Sequence, residues 1–132
     1  MSINFRDQQL LHLRPELPSA QVLEETTAIE IFQNTVLRPI LKLQNDALIR
    51  LFLFDLKNKK KDFNQYNNLE KQKSIDTHFK SNTALKQQLL GVIIGLFTKV
   101  EFEVYQKDSS KINKRIFSML KKRLEDQLIQ AV

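Results

Sequence analysis

From Thr27 to Phe54 apolar residues return every three or four positions: Ile29, Phe32, Val36, Ile40, Leu43, Ala47, Leu51 and Phe54. That spacing lays them along one face of a helix. Thr27 followed by Glu30 is a capping-box spacing, and Glu24 and Glu25 suit the positive end of a helix dipole, so the helix is predicted to open here. Pro39 has no N–H to give the carbonyl of Thr35. The pattern therefore predicts one long helix, 27–56, kinked at Pro39, or else a break with Pro39 opening a second helix.

Downstream the pattern predicts four more helices. Lys57 to Asn68 is polar and lysine-rich and reads as a loop. Asn67 with Glu70 opens a helix over 68–80 with Leu69, Ile75 and Phe79 inward. Ser81-Asn82 interrupts it and caps a helix over 83–97, whose Leu89–Phe97 stretch is apolar on nearly every side, as in a central helix or a subunit interface. Gly91 and Gly95 lie four apart there and predict close approach of another backbone. Thr98 with Glu101 opens a short helix through Lys107 with Phe102 and Tyr105 inward, although its alternation also fits a strand. Asp108-Ser109-Ser110 caps the last helix, 111–130, where Ile112, Ile116, Leu120, Leu124 and Leu128 step by four. Residues 1–23 follow no clean period and contain Arg14-Pro15 and Leu17-Pro18. They read as an irregular arm, with a helical turn at most over Leu10–Leu13 and apolar anchors such as Ile3 and Phe5. The expected fold is all-α: a single compact bundle of about five helices over 24–132, with the arm over 1–23 laid on it.

Composition narrows the chemistry. The chain has 132 residues, two glycines, three prolines and no cysteine. Disulfides, thiolate zinc sites and cysteine nucleophiles are excluded, and a reducing cytoplasm is the expected compartment. No signal-peptide core and no run of about 20 apolar residues is present, so a soluble protein off the membrane is expected. The two histidines, His12 and His78, stand at no ligand spacing, and Glu-x-x-His repeats are missing, so no metal is expected. Ser74, Asp76 and His78 are near one another in sequence, but without a strained nucleophile turn His78 reads as solvent-exposed. Glycine-rich phosphate loops are missing too. No cofactor and no catalytic set are expected.

Charge raises polyanions as partners. The net charge is +6; residues 1–35 carry a net −3 and the remainder +9. The cations gather at Lys59, Lys60 and Lys61 and at Lys114, Arg115, Lys121 and Lys122, a candidate surface for nucleic acid if the two groups share a face. A solvated lysine-rich surface is the plainer reading. The remaining candidate is polar and sits inside the long helix. Gln33-Asn34 and Gln44-Asn45 repeat eleven residues apart, three turns plus about 20°, and Arg38 shares their stripe. Asn34, Arg38, Gln44 and Asn45 are either an internal hydrogen-bond framework, with Arg38 paired to an acid such as Glu101 or Asp108, or a pocket gripping an anionic or amide-bearing ligand.

Three segments together resemble a known group. FQNxxLRPILKxQND (Phe32 to Asp46), GxxIGxFT (Gly91 to Thr98) and SxxINKR (Ser109 to Arg115) are similar to a family of small bacterial proteins often labelled "glyoxalase". The label implies paired βαβββ modules with metal held by histidines and glutamates on strands. This chain departs from that pattern in having no run of strands and too few histidines, so neither metal site nor lactoylglutathione chemistry is carried over. The functional expectation is a non-enzymatic, self-associating or protein-interacting module, a homodimer, with polyanion binding and a small-ligand pocket around Arg38 as alternatives.

Overall fold

The computed structural model describes residues 4–17 and 27–129. Every regular element among them is helical: α1 (Phe5–Leu13), α2 (Ala28–Phe32), a π-helical turn (Gln33–Leu37), α3 (Arg38–Asn58), a 3-10 turn (Phe63–Gln65), α4 (Asn68–Ser81), α5 (Thr83–Ile94), α6 (Lys99–Lys107) and α7 (Ser109–Leu128). The all-α bundle holds, including α6, whose alternation had also fitted a strand. The readings of Ile3, Glu24, Glu25 and Gln130 lie outside the described residues.

The opening segment is more ordered than an irregular arm. Asn4 caps α1 by accepting from the Asp7 N–H at 2.7 Å. Leu10 and Asp7 face the bundle, while Phe5 stays 76% exposed. The weak apolar pattern hid this helix because its docking is mostly polar, as described below.

The helix around Pro39 also differs from expectation. α2, the π turn and α3 follow one another directly, with the Arg38 N–H donating to the Gln33 carbonyl five residues back. An α-helical turn would drive the Pro39 ring against the Thr35 carbonyl. The widened turn absorbs one extra residue there instead. That residue turns the following helix about its axis by roughly 100°. Thus the face buried beyond Pro39 is Ile40, Leu41, Leu48, Phe52 and Leu56; of the predicted stripe Ile40 is buried and Leu51 half-buried, while Leu43, Ala47 and Phe54 lie exposed.

The buried face of α3 packs on α5, and α7 packs on α4, α5 and α6. Phe32 meets Phe97 edge-on and Asn82 donates to Asp55, so α3 and α5 run antiparallel. Ile40, Phe52, Ile75, Ile93 and Ile116 are fully buried, each contributing about 1.5–3 kcal/mol by leaving water. On α7 the step of four is realised: Ile112, Ile116, Leu120 and Leu124 all face inward. Phe63 belongs to the same core, edge-on to Phe52 at 5.7 Å.

Capping holds the helix ends. Asn67/Glu70 and Thr98/Glu101 form full capping boxes, Thr27 accepts from the Glu30 N–H, and Asn82 accepts from the Leu85 N–H. α3 closes with Lys60 at φ 59°. There the Lys61 N–H reaches the Leu56 carbonyl and the Lys60 N–H that of Lys57, a Schellman closure usually given to glycine.

Four local expectations are overturned, the first being Phe102 of α6, which is 40% exposed and not inward. Leu69 is 64% exposed, since the inward face of α4 is Ile75, His78 and Phe79. His78 is buried, its Nδ1 2.7 Å from the Ser74 carbonyl oxygen and its ring edge-on to Phe52. The carboxylate of Asp76 turns to Lys121 and Gln72 instead, so Ser74, Asp76 and His78 do not form a relay. Finally, nothing lies within 4 Å of a Cβ placed on Gly91. At Gly95 the nearest atom is the Gly91 carbonyl oxygen of the same helix, so no other backbone among the described residues approaches them.

Candidate functional site

The π turn and α3 run beside α7 in the same direction. Arg115 donates to Gln33 Oε1 at 2.8 Å, and twelve residues on Asn45 Oδ1 accepts from Arg123 at 3.0 Å and from Gln127 at 2.6 Å. Asn45 also donates to Gln127 Oε1 at 2.8 Å. Two guanidiniums are thus fastened to neutral amides. Neighbouring Arg38 is half-buried, and its guanidinium makes no hydrogen bond or ion pair among the described residues. Burial lowers the pKa of Arg123, and the charge of Arg38 lowers it further. Among the described residues no carboxylate pairs with Arg38, Arg115 or Arg123.

The expected partner of Arg38 is engaged elsewhere. Glu101 takes Arg14 in a two-pronged contact, Nη1 to Oε2 at 2.6 Å and Nη2 to Oε1 at 2.5 Å. Burial pushes the Glu101 carboxyl up, but the hydrogen bonds from Arg14 and the Thr98 N–H outweigh it and hold it below the usual range. Arg14 also donates to the Leu96 carbonyl, and Arg6 to those of Gly95 and Phe97. These are orphan carbonyls at the end of α5. Asp7 accepts from the Lys99 N–H at the start of α6, 3.3 Å away. No local spacing signals these ties, which span more than eighty residues.

The predicted polar cluster divides. Arg38 and Asn45 share the α7 side of α3, whereas Gln44 sits 100° round the helix, and Asn34 and Gln44 have no protein partner among the described residues. At the open end of the seam, between α2 and the first turns of α7, lies a groove of about 560 Å³. Its cations are Lys111, Lys114 and Arg115, its polar neutral groups Gln33 and Ser118, and its apolar walls Ile29 and Met119. None of these lining side chains is acidic.

The predicted basic surface divides as well. Lys59 is paired with Asp55 at 3.1 Å, Lys121 with Asp76 at 2.9 Å and Lys122 with Asp126 at 3.5 Å. Lys121 is raised in pKa by its hydrogen bond to Asp76, which is itself lowered by the same contact. Lys60 and Lys61 line a hollow with Phe63 and Asp62 beyond the end of α3. Gln33 and Lys59 are 26 residues of helix apart, about 39 Å. Arg115 and Lys59–Lys61 therefore lie toward opposite ends of the long helix.

No metal-capable group of three or more side chains occurs among the described residues, and none of their helices is long and apolar enough to cross a membrane. Compared with known proteins, the chain matches no family model, no curated protein and no solved structure.

Proposed function

We propose that the protein is a binding module for an anionic ligand, held along the α3–α7 seam by Arg38, Arg115 and Arg123. One observation carries this: three guanidiniums lie on one seam, two of them held by amides, and among the described residues none is paired with a carboxylate. Like charges drawn together and partly desolvated favour whatever counter-charge arrives from solution. The groups suit holding more than reacting. A guanidinium stays protonated and an amide does not titrate, so the set offers charge and directed donors but no proton-transfer group near neutral pH.

Thermal unfolding with inorganic pyrophosphate at constant ionic strength tests the reading. A ligand at a hundred times its Kd stabilises by about 2.7 kcal/mol, or roughly 10 °C in a domain of this size. The rise is expected in the parent and lost in Arg38→Ala and Arg123→Ala. No rise in the parent, or an equal rise in both variants, would overturn it.

Self-association is a second reading, favoured by the outer face of α3, where Phe54 is 61% and Leu43 37% exposed. A homodimer formed there gives a concentration-dependent mass in sedimentation equilibrium that Phe54→Glu abolishes. A monomer throughout the micromolar range ends that reading.

A further inference from the structure

The groove between α2 and α7 has features that the seam's charge alone does not call for. We infer that it binds a mononucleotide, a nucleoside diphosphate in particular, with the phosphates on Lys111, Lys114 and Arg115 and the base between Ile29 and Met119. The inference rests on the anion-binding reading above and names its ligand class.

Charge comes first. Three cations from two successive turns of α7 converge on one groove whose lining, among the described residues, includes no carboxylate. Among the described residues one side-chain contact holds any of the three to the protein: Arg115 donates through one nitrogen to Gln33, and its other nitrogens have no partner there. A planar guanidinium fixed at one corner offers its remaining donors as a fork, the geometry that suits phosphate oxygens.

The neutral lining argues for an organic part on the ligand. Ile29 and Met119 give the groove apolar walls, and the methionine is an adaptable surface for a flat ring. The Gln33 amide faces Arg115 with its oxygen, which leaves its NH2 as a donor with no protein partner among the described residues. Ser118 adds a hydroxyl. A volume of about 560 Å³ falls within the roughly 300–1,000 Å³ of ordinary ligand sites.

Extent argues against a nucleic acid strand. Farther along α7 the cations Lys121 and Lys122 are paired with Asp76 and Asp126, and the lysines after α3 stand about 39 Å of helix away. At the groove itself the unpaired charge is confined to two turns of α7. A polymer needs a line of phosphate contacts, a mononucleotide only this cluster.

Calorimetric titrations of the whole chain with inorganic pyrophosphate, adenosine diphosphate and a short mixed duplex test the inference. The Met119 methyl resonance is read alongside, Met1 being the one other methionine of the sequence. Burying a base between two apolar side chains should make the nucleotide bind at least about tenfold tighter than pyrophosphate. Met119 should shift with the nucleotide only. Arg115→Gln should weaken both ligands, and Met119→Ala only the nucleotide. Equal affinities, or an unmoved Met119 signal, would overturn the nucleotide assignment while the anion reading stands. Duplex binding tighter than the nucleotide would overturn it too. Binding of none of the three would sink both.

Discussion

Two clusters of arginine organise this molecule, and they are satisfied in opposite ways. At the α1 junction, Arg14 is clasped by Glu101 and a helix carbonyl, Arg6 caps the end of α5, and Asp7 meets the start of α6. Each charge has an opposite charge or a dipole end to meet it. On the α3–α7 seam the cations meet Gln33 and Asn45, or, for Arg38, nothing among the described residues. The first arrangement is complete within the chain. The second leaves a positive potential that a ligand can complete.

The largest effect is expected where the contrast is greatest. Arg14→Ala leaves Glu101 partly buried without its partner, with side-chain exposures of 9% and 14% in the pair. It should cost about 2–3 kcal/mol in denaturant unfolding. A loss below about 0.5 kcal/mol would show the junction to be decoration.

Acid should separate the clusters next. Glu101 is held below its ordinary value of 4.5 in the folded chain, so its contribution is fully present above that pH. It is lost as pH falls through the lower folded value, because the unfolded chain then binds the proton more readily. Stability followed from pH 5 downward should decline less steeply in Glu101→Gln than in the parent. Parallel curves would remove the carboxylate from the account.

Conversion of one cluster into the other is the sharper trial. Gln33→Glu gives Arg115 the carboxylate that the seam lacks, and a charged partner roughly doubles the strength of such a bond. The variant should gain about 1 kcal/mol and lose its thermal response to pyrophosphate. A gain without that loss would show that Arg115 is not the anion's contact.

The smallest effect on stability is expected at Arg38. Without a protein partner to lose, Arg38→Ala should change unfolding by less than about 0.5 kcal/mol while pyrophosphate ceases to stabilise. A large loss of stability would make Arg38 part of the framework after all.

How legible was this in the sequence? The capping residues marked α4 and α6, and the step of four on α7 named its buried face. Those signals are local, set by side chains three or four apart. The stripe of α3 beyond Pro39 was misread because one extra residue in the π turn is invisible to a pattern that assumes constant pitch. α1 was missed because it docks through Arg6, Asp7 and Arg14, which look like ordinary surface charge. The seam was half visible. Arg38 and Asn45 stood out as polar groups on an apolar helix, but Arg123 and Gln127 come from α7, and no spacing connects them. The proposed pairing of Arg38 with Glu101 failed because Arg14, from the segment read as irregular, occupies it.

The π turn has one more consequence. A helix is a screw, and a single added residue sets the two ends of this one out of phase by about a quarter turn. α2 can then aim Phe32 at Phe97 while α3 aims Leu48 and Phe52 at the bundle. Removing one residue between Gln33 and Leu37 would bring the ends into step and swing Ile29 off the groove. The proposed binding surface thus depends on a timing error wound into the helix.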